Sequence, residues 1–361
     1  MSTRHVSQRL DSLTGLRFLA AFVVFGIHAT EYVPAGNVRG ALDLVFSQGT
    51  AGVTFFFLLS GFVLAWSHRA GDTPRAFYRR RFARIAPAYW VTFLAGVALL
   101  IPIRDTTPLA TVADSLPSAV GLQAWFPSPA VYYGGNGVGW SLSVEMFFYL
   151  LFPLLILGLQ RRRILIALVA VSVVAMLAVP LILQPSDINS VEYWAIKIFP
   201  LQRLAEFVLG CALAVAMRRG WRFPVGLPAA TALALVAYLA AAHVPGWAQL
   251  VLLPALPFLI LIGAAAQADL ADTPSIVRSR PFVVLGEWSY CFYLVHQMVI
   301  VVFITVAKTF DLETIGTIAV LLAALAVALV AAWALYVVVE RPLERRVRGA
   351  RPRPEMLQAA S

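Results

Sequence analysis

The chain has 361 residues, of which 60% are hydrophobic and 13% are charged. This composition excludes an ordinary soluble domain, because charged residues make up about a quarter of a globular chain. The formal net charge of +10 is compatible with nucleic-acid binding, but membrane proteins also collect positive charge in their cytoplasmic loops.

Apolar runs of about 20 residues, the length that crosses the hydrocarbon core of a bilayer, recur along the chain. They predict an all-α, polytopic membrane protein with about ten transmembrane helices. The predicted spans are 12–32, 50–68, 87–103, 140–160, 163–183, 194–217, 224–242, 247–267, 281–307 and 314–339.

The positions of the basic residues predict the orientation. If the N-terminus is cytoplasmic, most of the 28 Lys and Arg residues fall on the cytoplasmic side. This asymmetry predicts cytoplasmic N- and C-termini, and it accounts for the net charge without nucleic acid. We divide the chain into a cytoplasmic segment 1–11, a membrane domain 12–345 and a basic, disordered cytoplasmic tail 346–361.

The two cysteines, Cys211 and Cys291, both fall inside apolar runs. A disulfide framework or a zinc site needs more ligands at closer spacing. We therefore expect two small buried side chains and no metal site.

The first span carries an arginine near its start and a histidine near its end. Arg17 and His28 are 11 residues apart, which is about three helical turns, so both side chains point to one face at an axial separation of about 16 Å. Ionisable groups inside a membrane usually face a cavity or a partner. Two simpler interpretations stay open: Arg17 extends to the lipid headgroups, or His28 is a hydrogen-bonded packing residue.

Other spans bring polar groups to similar depths. Glu145 lies near the start of the fourth span and His296 late in the ninth, so both are expected in the layer of His28. Ser60 and Gly61 fall near the middle of the second span. The sixth span holds Arg203 and Glu206 one turn apart, which predicts a structural ion pair, since residues at this spacing are neighbours on a helix.

A dense arginine run, FYRRRFARIAPAYW, lies between the second and third spans. Such a run is typical of a positive-inside anchor that contacts lipid phosphates. Its position beside a membrane-embedded arginine equally favours a site for a phosphate ligand.

Six motifs together resemble the acyltransferase-3 family of integral membrane O-acyltransferases. In chain order they are LDSLTGLRFLAAFVVFGIHA, GVTFFFLLSGFVLA, FYRRRFARIAPAYW, WSLSVEMFFYLLFPLL, RLAEFVLG and LGEWSYCFYLVHQ. The resemblance covers about residues 10–345. It implies transfer of an acyl group from cytoplasmic acyl-coenzyme A to hydroxyls of envelope glycans or, in the actinomycete branch that the first motif resembles most, of macrolides.

The resemblance also implies roles for particular residues. The family's basic residue and histidine of the first helix match Arg17 and His28, and its arginine pair in the loop after the second helix matches Arg79 and Arg81. The glutamate of the SLSVE motif is Glu145. Family members often have a second acidic residue or glutamine after this glutamate, whereas this chain has methionine there.

We therefore expect an acyl-coenzyme A-dependent O-acyltransferase of the bacterial inner membrane, with no permanently bound cofactor. Its donor, which we expect to be acetyl-coenzyme A, would be bound by the residues Arg17, Arg79, Arg81, Ser60 and Gly61. Its catalytic residues would be His28, acting as general base, and Glu145, which orients the imidazole or binds the acceptor. Its acceptor, a hydroxyl-bearing glycan or natural product, would contact Trp140, Ser143 and His296.

A covalent acyl-histidine remains an alternative to general-base catalysis. The competing class is a multi-span transporter or flippase for a lipid-linked or sugar solute. Transporters often contain internal repeats, and the two halves of this sequence show no convincing repeat.

Overall fold

The computed structural model of the chain describes residues 9–69, 71–103, 107–185, 187–244, 252–310 and 314–348. Within these ranges the chain is helical and contains no β-strand. The helices are α1 (Asp11–Thr30), α2 (Asn37–Phe46), α3 (Ala51–Ser67), α4 (Pro74–Leu100), α5 (Pro108–Ala119), α6 (Pro129–Tyr132), α7 (Trp140–Leu159), α8 (Arg162–Leu183), α9 (Val191–Lys197), α10 (Pro200–Arg218), α11 (Leu227–Ala240), α12 (Leu252–Leu270), α13 (Arg280–Ala307), α14 (Thr314–Leu335) and α15 (Arg341–Arg348).

Eight helical stretches of the described chain are long and apolar enough to cross a membrane. Two shorter apolar helices, Leu227–His243 and Pro254–Leu270, correspond to the predicted seventh and eighth spans. The prediction of an all-α polytopic membrane protein is therefore confirmed. The predicted start of the eighth span, at 247, lies outside the described residues.

The arginine run is helical, which corrects the expectation that it forms a loop before a span at 87–103. Helix α4 begins 13 residues earlier, at Pro74. The side chain of Thr73 caps it by accepting a hydrogen bond from the amide of Ala76 at 3.3 Å, and proline suits the first helical position. Arginines three or four residues apart therefore share one face of a helix.

The last span continues further than its apolar pattern indicates. A π-helical turn, Tyr336–Glu340, connects α14 to α15, so the helix passes beyond the predicted start of the tail at 346. The remaining tail residues, 349–361, lie outside the described chain, as do residues 1–8 of the predicted N-terminal segment.

Close backbone contacts hold the centre of the bundle together. Gly61 of α3 packs on the backbone of Phe207, and Gly210 of α10 packs on the backbone of Leu58. A Cβ at either glycine would overlap a carbonyl oxygen of the facing helix. Small residues at such crossings are typical of membrane helices, where association depends on close packing. Helices α3 and α10 therefore form a fixed central pair.

Buried charge confirms the expected pair in the sixth span. The Nε of Arg203 lies 3.0 Å from Oε2 of Glu206, and both side chains are fully buried. The guanidinium also donates to the hydroxyl of Thr54 and lies over the ring of Phe57. The pair thus ties α10 to α3.

Both cysteines are free and buried, as expected.

The degree of burial distinguishes central from peripheral helices. In the stretch that contains α10, 78% of the most apolar window is buried inside the protein, against 17% for α8 and 22% for the stretch that contains α14. Helices α8 and α14 therefore face lipid.

Two names are used for the ends of the bundle. The basic end is the one where α1 begins and α3 ends, and the opposite end is the other.

Candidate active site

A cavity inside the bundle is lined by side chains from α1, α3, α4, α7 and α13. On α3 its lining residues run from Val53, near the opposite end, to Leu64, near the basic end. These two residues are 11 positions apart, which is about 16 Å along a helix axis. The cavity is therefore elongated and follows α3 through the membrane.

Three guanidinium groups, of Arg17, Arg81 and Arg84, line this cavity. None of them forms an ion pair with a carboxylate in the described part of the chain. The Nε of Arg81 is buried and has no hydrogen-bond partner among the described residues. Unpaired guanidinium groups in a membrane interior indicate a binding site for an anion, and arginine's forked donors match phosphate oxygens.

Two aromatic rings hold the guanidinium of Arg81 in place. Its central carbon lies 5.8 Å from the ring centre of Phe77 and 5.9 Å from that of Tyr149. Cation–π contacts of this kind stabilise a guanidinium without consuming its hydrogen-bond donors. The donors of Arg81 therefore remain directed to the cavity.

Glu145 lies in the same cavity, one turn before Tyr149 on α7. Its Oε1 accepts hydrogen bonds from Ser60, at 2.9 Å, and from the hydroxyl of Tyr149. The expected contact between Glu145 and His28 is not formed. Since Glu145 faces the guanidinium groups, its position is compatible with orienting a bound donor or acceptor, not with orienting the imidazole.

His28 instead contacts His296, so the structure brings together two of the three residues expected in one layer. The Nδ1 of His28 lies 2.9 Å from Nε2 of His296. The ring centres are 5.2 Å apart and the rings are inclined by only 11°. These values place the two nitrogens nearly on the line between the ring centres, so the rings meet edge to edge in an in-plane hydrogen bond.

Tyr293 separates the histidine pair from the cavity. Its side chain lines the cavity, while its ring centre is 5.7 Å from that of His296. Its hydroxyl forms a 2.8 Å hydrogen bond with Ser141. His28 is not among the cavity-lining residues, although the cavity ends one aromatic ring away from its partner.

The other residues predicted for the site lie elsewhere. Arg79 is exposed on α4 and does not line the cavity. Gly61 faces α10 instead of leaving room in the cavity, because Phe207 fills that space. The buried hydroxyl of Ser143 donates to the carbonyl of Gly121 and accepts from the amide of Ala124, and therefore fixes a loop. Trp140 is buried at the start of α7.

Arg84 was not predicted to belong to the site, although the sequence contained a signal for it. Arg84 follows Arg81 by three positions, so the two share a helix face, whereas Arg79 lies on another. This spacing becomes informative only once the arginine run is known to be helical. The aromatic lining, Tyr149, Tyr290 and Tyr293, had no comparable sequence signal.

Comparisons with known proteins agree with these features. A family model described as an acyltransferase domain matches residues 10–337. The chain is 38% identical to acyltransferase MdmB of Streptomyces mycarofaciens, over 95% of this chain and 94% of that protein. It is 29% identical to the exopolysaccharide production protein ExoZ of Rhizobium meliloti, over 85% and 93%.

A more distant relative is the peptidoglycan O-acetyltransferase OatA of Listeria monocytogenes, 23% identical over 83% of this chain and 50% of that protein. No solved structure matches the chain. The family match extends over the helices that form the cavity and carry the histidine pair. The chain therefore belongs to the acyltransferase-3 family and is a multi-pass membrane O-acyltransferase.

Proposed function

We propose that the acyl donor is acyl-coenzyme A and that the guanidinium-lined cavity binds it. The cavity carries this proposal, because its three arginines form no ion pair with a carboxylate of the described residues and offer their donors to the phosphates of the donor. Acetyl-coenzyme A is the expected donor. No metal or permanently bound cofactor is required.

The shape of the cavity supports an extended donor. Its length along α3, about 16 Å, equals the axial offset between Arg17 and His28. With the phosphates at Arg17, Arg81 and Arg84, the flexible arm would extend past Ser60 toward Tyr293. The thioester would then approach the histidine pair from the side of the basic end.

Tyr293 must move for the reaction to occur. Rotation of this side chain, with loss of its hydrogen bond to Ser141, would join the cavity to the space beside His28. The hydroxyl also lies 3.4 Å from the carbonyl oxygen of Val138, so the rotation breaks two neutral hydrogen bonds, at a cost of about 2 kcal/mol. Binding of the donor arm against α3 and α13 can supply this free energy.

His28 would act as general base. The acceptor hydroxyl oxygen attacks the thioester carbonyl carbon and forms a C–O bond, while its proton passes to the bare ring nitrogen of His28. The tetrahedral intermediate collapses as the C–S bond breaks. The leaving thiolate takes the proton back from the imidazolium, which yields the acyl ester and free coenzyme A and regenerates His28.

The acceptor is a hydroxyl of a carbohydrate, an envelope glycan or a glycosylated natural product such as a macrolide. Relatives named for exopolysaccharide production and for peptidoglycan O-acetylation support an acceptor of this class. We place the protein in the bacterial inner membrane with both termini cytoplasmic, so that the basic end faces the pool of acyl-coenzyme A.

Release of coenzyme A tests this proposal. Purified full-length protein in nanodiscs, given acetyl-coenzyme A and a panel containing a macrolide, an oligosaccharide and a peptidoglycan fragment, is expected to release free thiol with at least one acceptor. Thiol release should equal ester formation measured by mass spectrometry. Ester formation from another acyl donor, with acetyl-coenzyme A inert, would contradict the proposal, as would solute flux in proteoliposomes without acyl transfer.

A further inference from the structure

Backbone carbonyls determine which nitrogen of His296 carries the hydrogen. Its Nδ1 lies 2.7 Å from the carbonyl oxygen of Tyr293 and 3.3 Å from that of Phe292. A carbonyl oxygen can only accept a hydrogen bond, so Nδ1 must be the donor. In a neutral imidazole the other nitrogen, Nε2, is then without hydrogen and is an acceptor.

The surroundings of His296 favour this neutral form. The side chain is fully buried, and the rings of Phe25, Phe292 and Tyr293 lie around it. No carboxylate hydrogen-bonds to either ring of the histidine pair in the part of the chain that the structure describes. A second proton on His296 would bury a charge without a counter-ion, which is costly.

The hydrogen of His28 follows from that of His296. Because Nε2 of His296 is an acceptor, the nitrogen 2.9 Å away, Nδ1 of His28, must donate. The hydrogen of His28 therefore lies on Nδ1, and its Nε2 carries the free lone pair. The edge-to-edge arrangement of the rings makes this hydrogen bond nearly linear.

We infer that His296 is a positioning residue, which fixes the tautomer and orientation of His28 so that Nε2 is presented as the base. This inference rests on the proposed role of His28. A neutral imidazole, anchored on the backbone of α13, thereby fixes tautomer and orientation, as the carboxylate does in a serine-protease triad, but without contributing a charge. This role replaces the acceptor contact expected for His296 from the sequence.

A neutral partner suits the membrane environment. A carboxylate beside His28 would itself have to be desolvated, whereas the His296 ring needs only the two carbonyls of its own helix. When His28 takes a proton during transfer, its Nδ1 hydrogen stays bonded to His296. The ring orientation is therefore preserved from the first proton transfer to the second.

Nitrogen NMR tests the tautomer directly and needs no acceptor. The chain has five histidines, so full-length protein labelled with 15N-histidine in nanodiscs gives a small set of ring signals, which are assigned with His28→Gln and His296→Gln. We expect the hydrogen of His28 on Nδ1 and its Nε2 bare in the unsubstituted protein. A hydrogen on Nε2 of His28 would overturn the inference without any activity measurement.

Two variants at His296 separate positioning from packing. His296→Phe keeps a planar ring but offers no hydrogen-bond acceptor. The hydrogen of His28 is then no longer fixed on Nδ1, and kcat is expected to fall about 100-fold. His296→Gln can place its amide oxygen where Nε2 lies, and should retain the Nδ1 hydrogen of His28 and most of the activity. Affinity for acetyl-coenzyme A should be unchanged in both.

Kinetics are measured with acetyl-coenzyme A and the panel acceptor that gives the fastest thiol release. An unchanged kcat in His296→Phe would overturn the inference, as would a raised KM for the acceptor at unchanged kcat, which indicates an acceptor contact instead. If His28→Gln remains active, the proposed role of His28 as general base fails. If His28→Gln is inactive and His296→Phe is fully active, only the positioning role fails.

Discussion

Replacing His28 by glutamine is expected to abolish acyl transfer while donor binding is retained. Glutamine has a similar size, but it has no ring nitrogen that accepts a proton. Loss of general-base catalysis lowers rates by factors of about 100 to 10,000, so we expect kcat to fall about 1,000-fold. The thiol-release assay measures the rate of transfer, and equilibrium dialysis with labelled coenzyme A measures donor binding.

His243→Gln is the matched control, because this histidine is exposed at the end of a short helical turn after α11, away from the cavity. It should keep full activity. A His28→Gln protein that binds coenzyme A and transfers at the normal rate would remove His28 from the reaction. Loss of both binding and transfer would indicate instead that His28 supports the fold.

Replacing Arg81 and Arg84 together by glutamine is expected to weaken donor binding strongly. Each guanidinium–phosphate hydrogen bond contributes about 2 kcal/mol, so the double variant should raise the KM for acetyl-coenzyme A at least about 100-fold. The KM for the acceptor should change little, because both side chains lie at the basic end of the cavity. Initial rates over a range of donor concentrations check this expectation.

Arg79→Gln is the matched control on the same helix. Its side chain is exposed and does not line the cavity, so we expect an unchanged KM for the donor. The family resemblance implies an Arg79 and Arg81 pair, whereas the cavity is lined by Arg81 and Arg84, and the substitutions decide between the two assignments. A large effect of Arg79→Gln with none from Arg81→Gln and Arg84→Gln would show that the donor phosphates bind outside the cavity.

The sequence was sufficient to predict the helical membrane fold, because a run of 20 apolar residues has few alternatives. It also predicted that Arg203 pairs with Glu206, because residues three positions apart are neighbours on a helix. The start of α4 was missed because a dense arginine run is also typical of a loop. Its cap at Thr73 is a local signal that was available.

Contacts between segments far apart in the chain were harder to predict from the sequence. Equal depth in the membrane predicted that His28, Glu145 and His296 lie in one layer, but depth does not specify rotation about the helix axis. The packing of α1 against α13 brings the two histidines together, whereas α7 directs Glu145 to Ser60. The same limitation explains Gly61, whose small size serves the contact with α10 instead of the cavity.

The most direct test of the account is a structure of the full-length protein with a non-hydrolysable thioether analogue of acetyl-coenzyme A, determined by cryo-electron microscopy in nanodiscs. We expect phosphate oxygens within hydrogen-bonding distance of Arg81 and Arg84, the arm along α3, and the sulfur next to Nε2 of His28 with Tyr293 rotated away from Ser141. A donor bound at the exposed face of α4, or an arm that ends without reaching His28, would contradict the account.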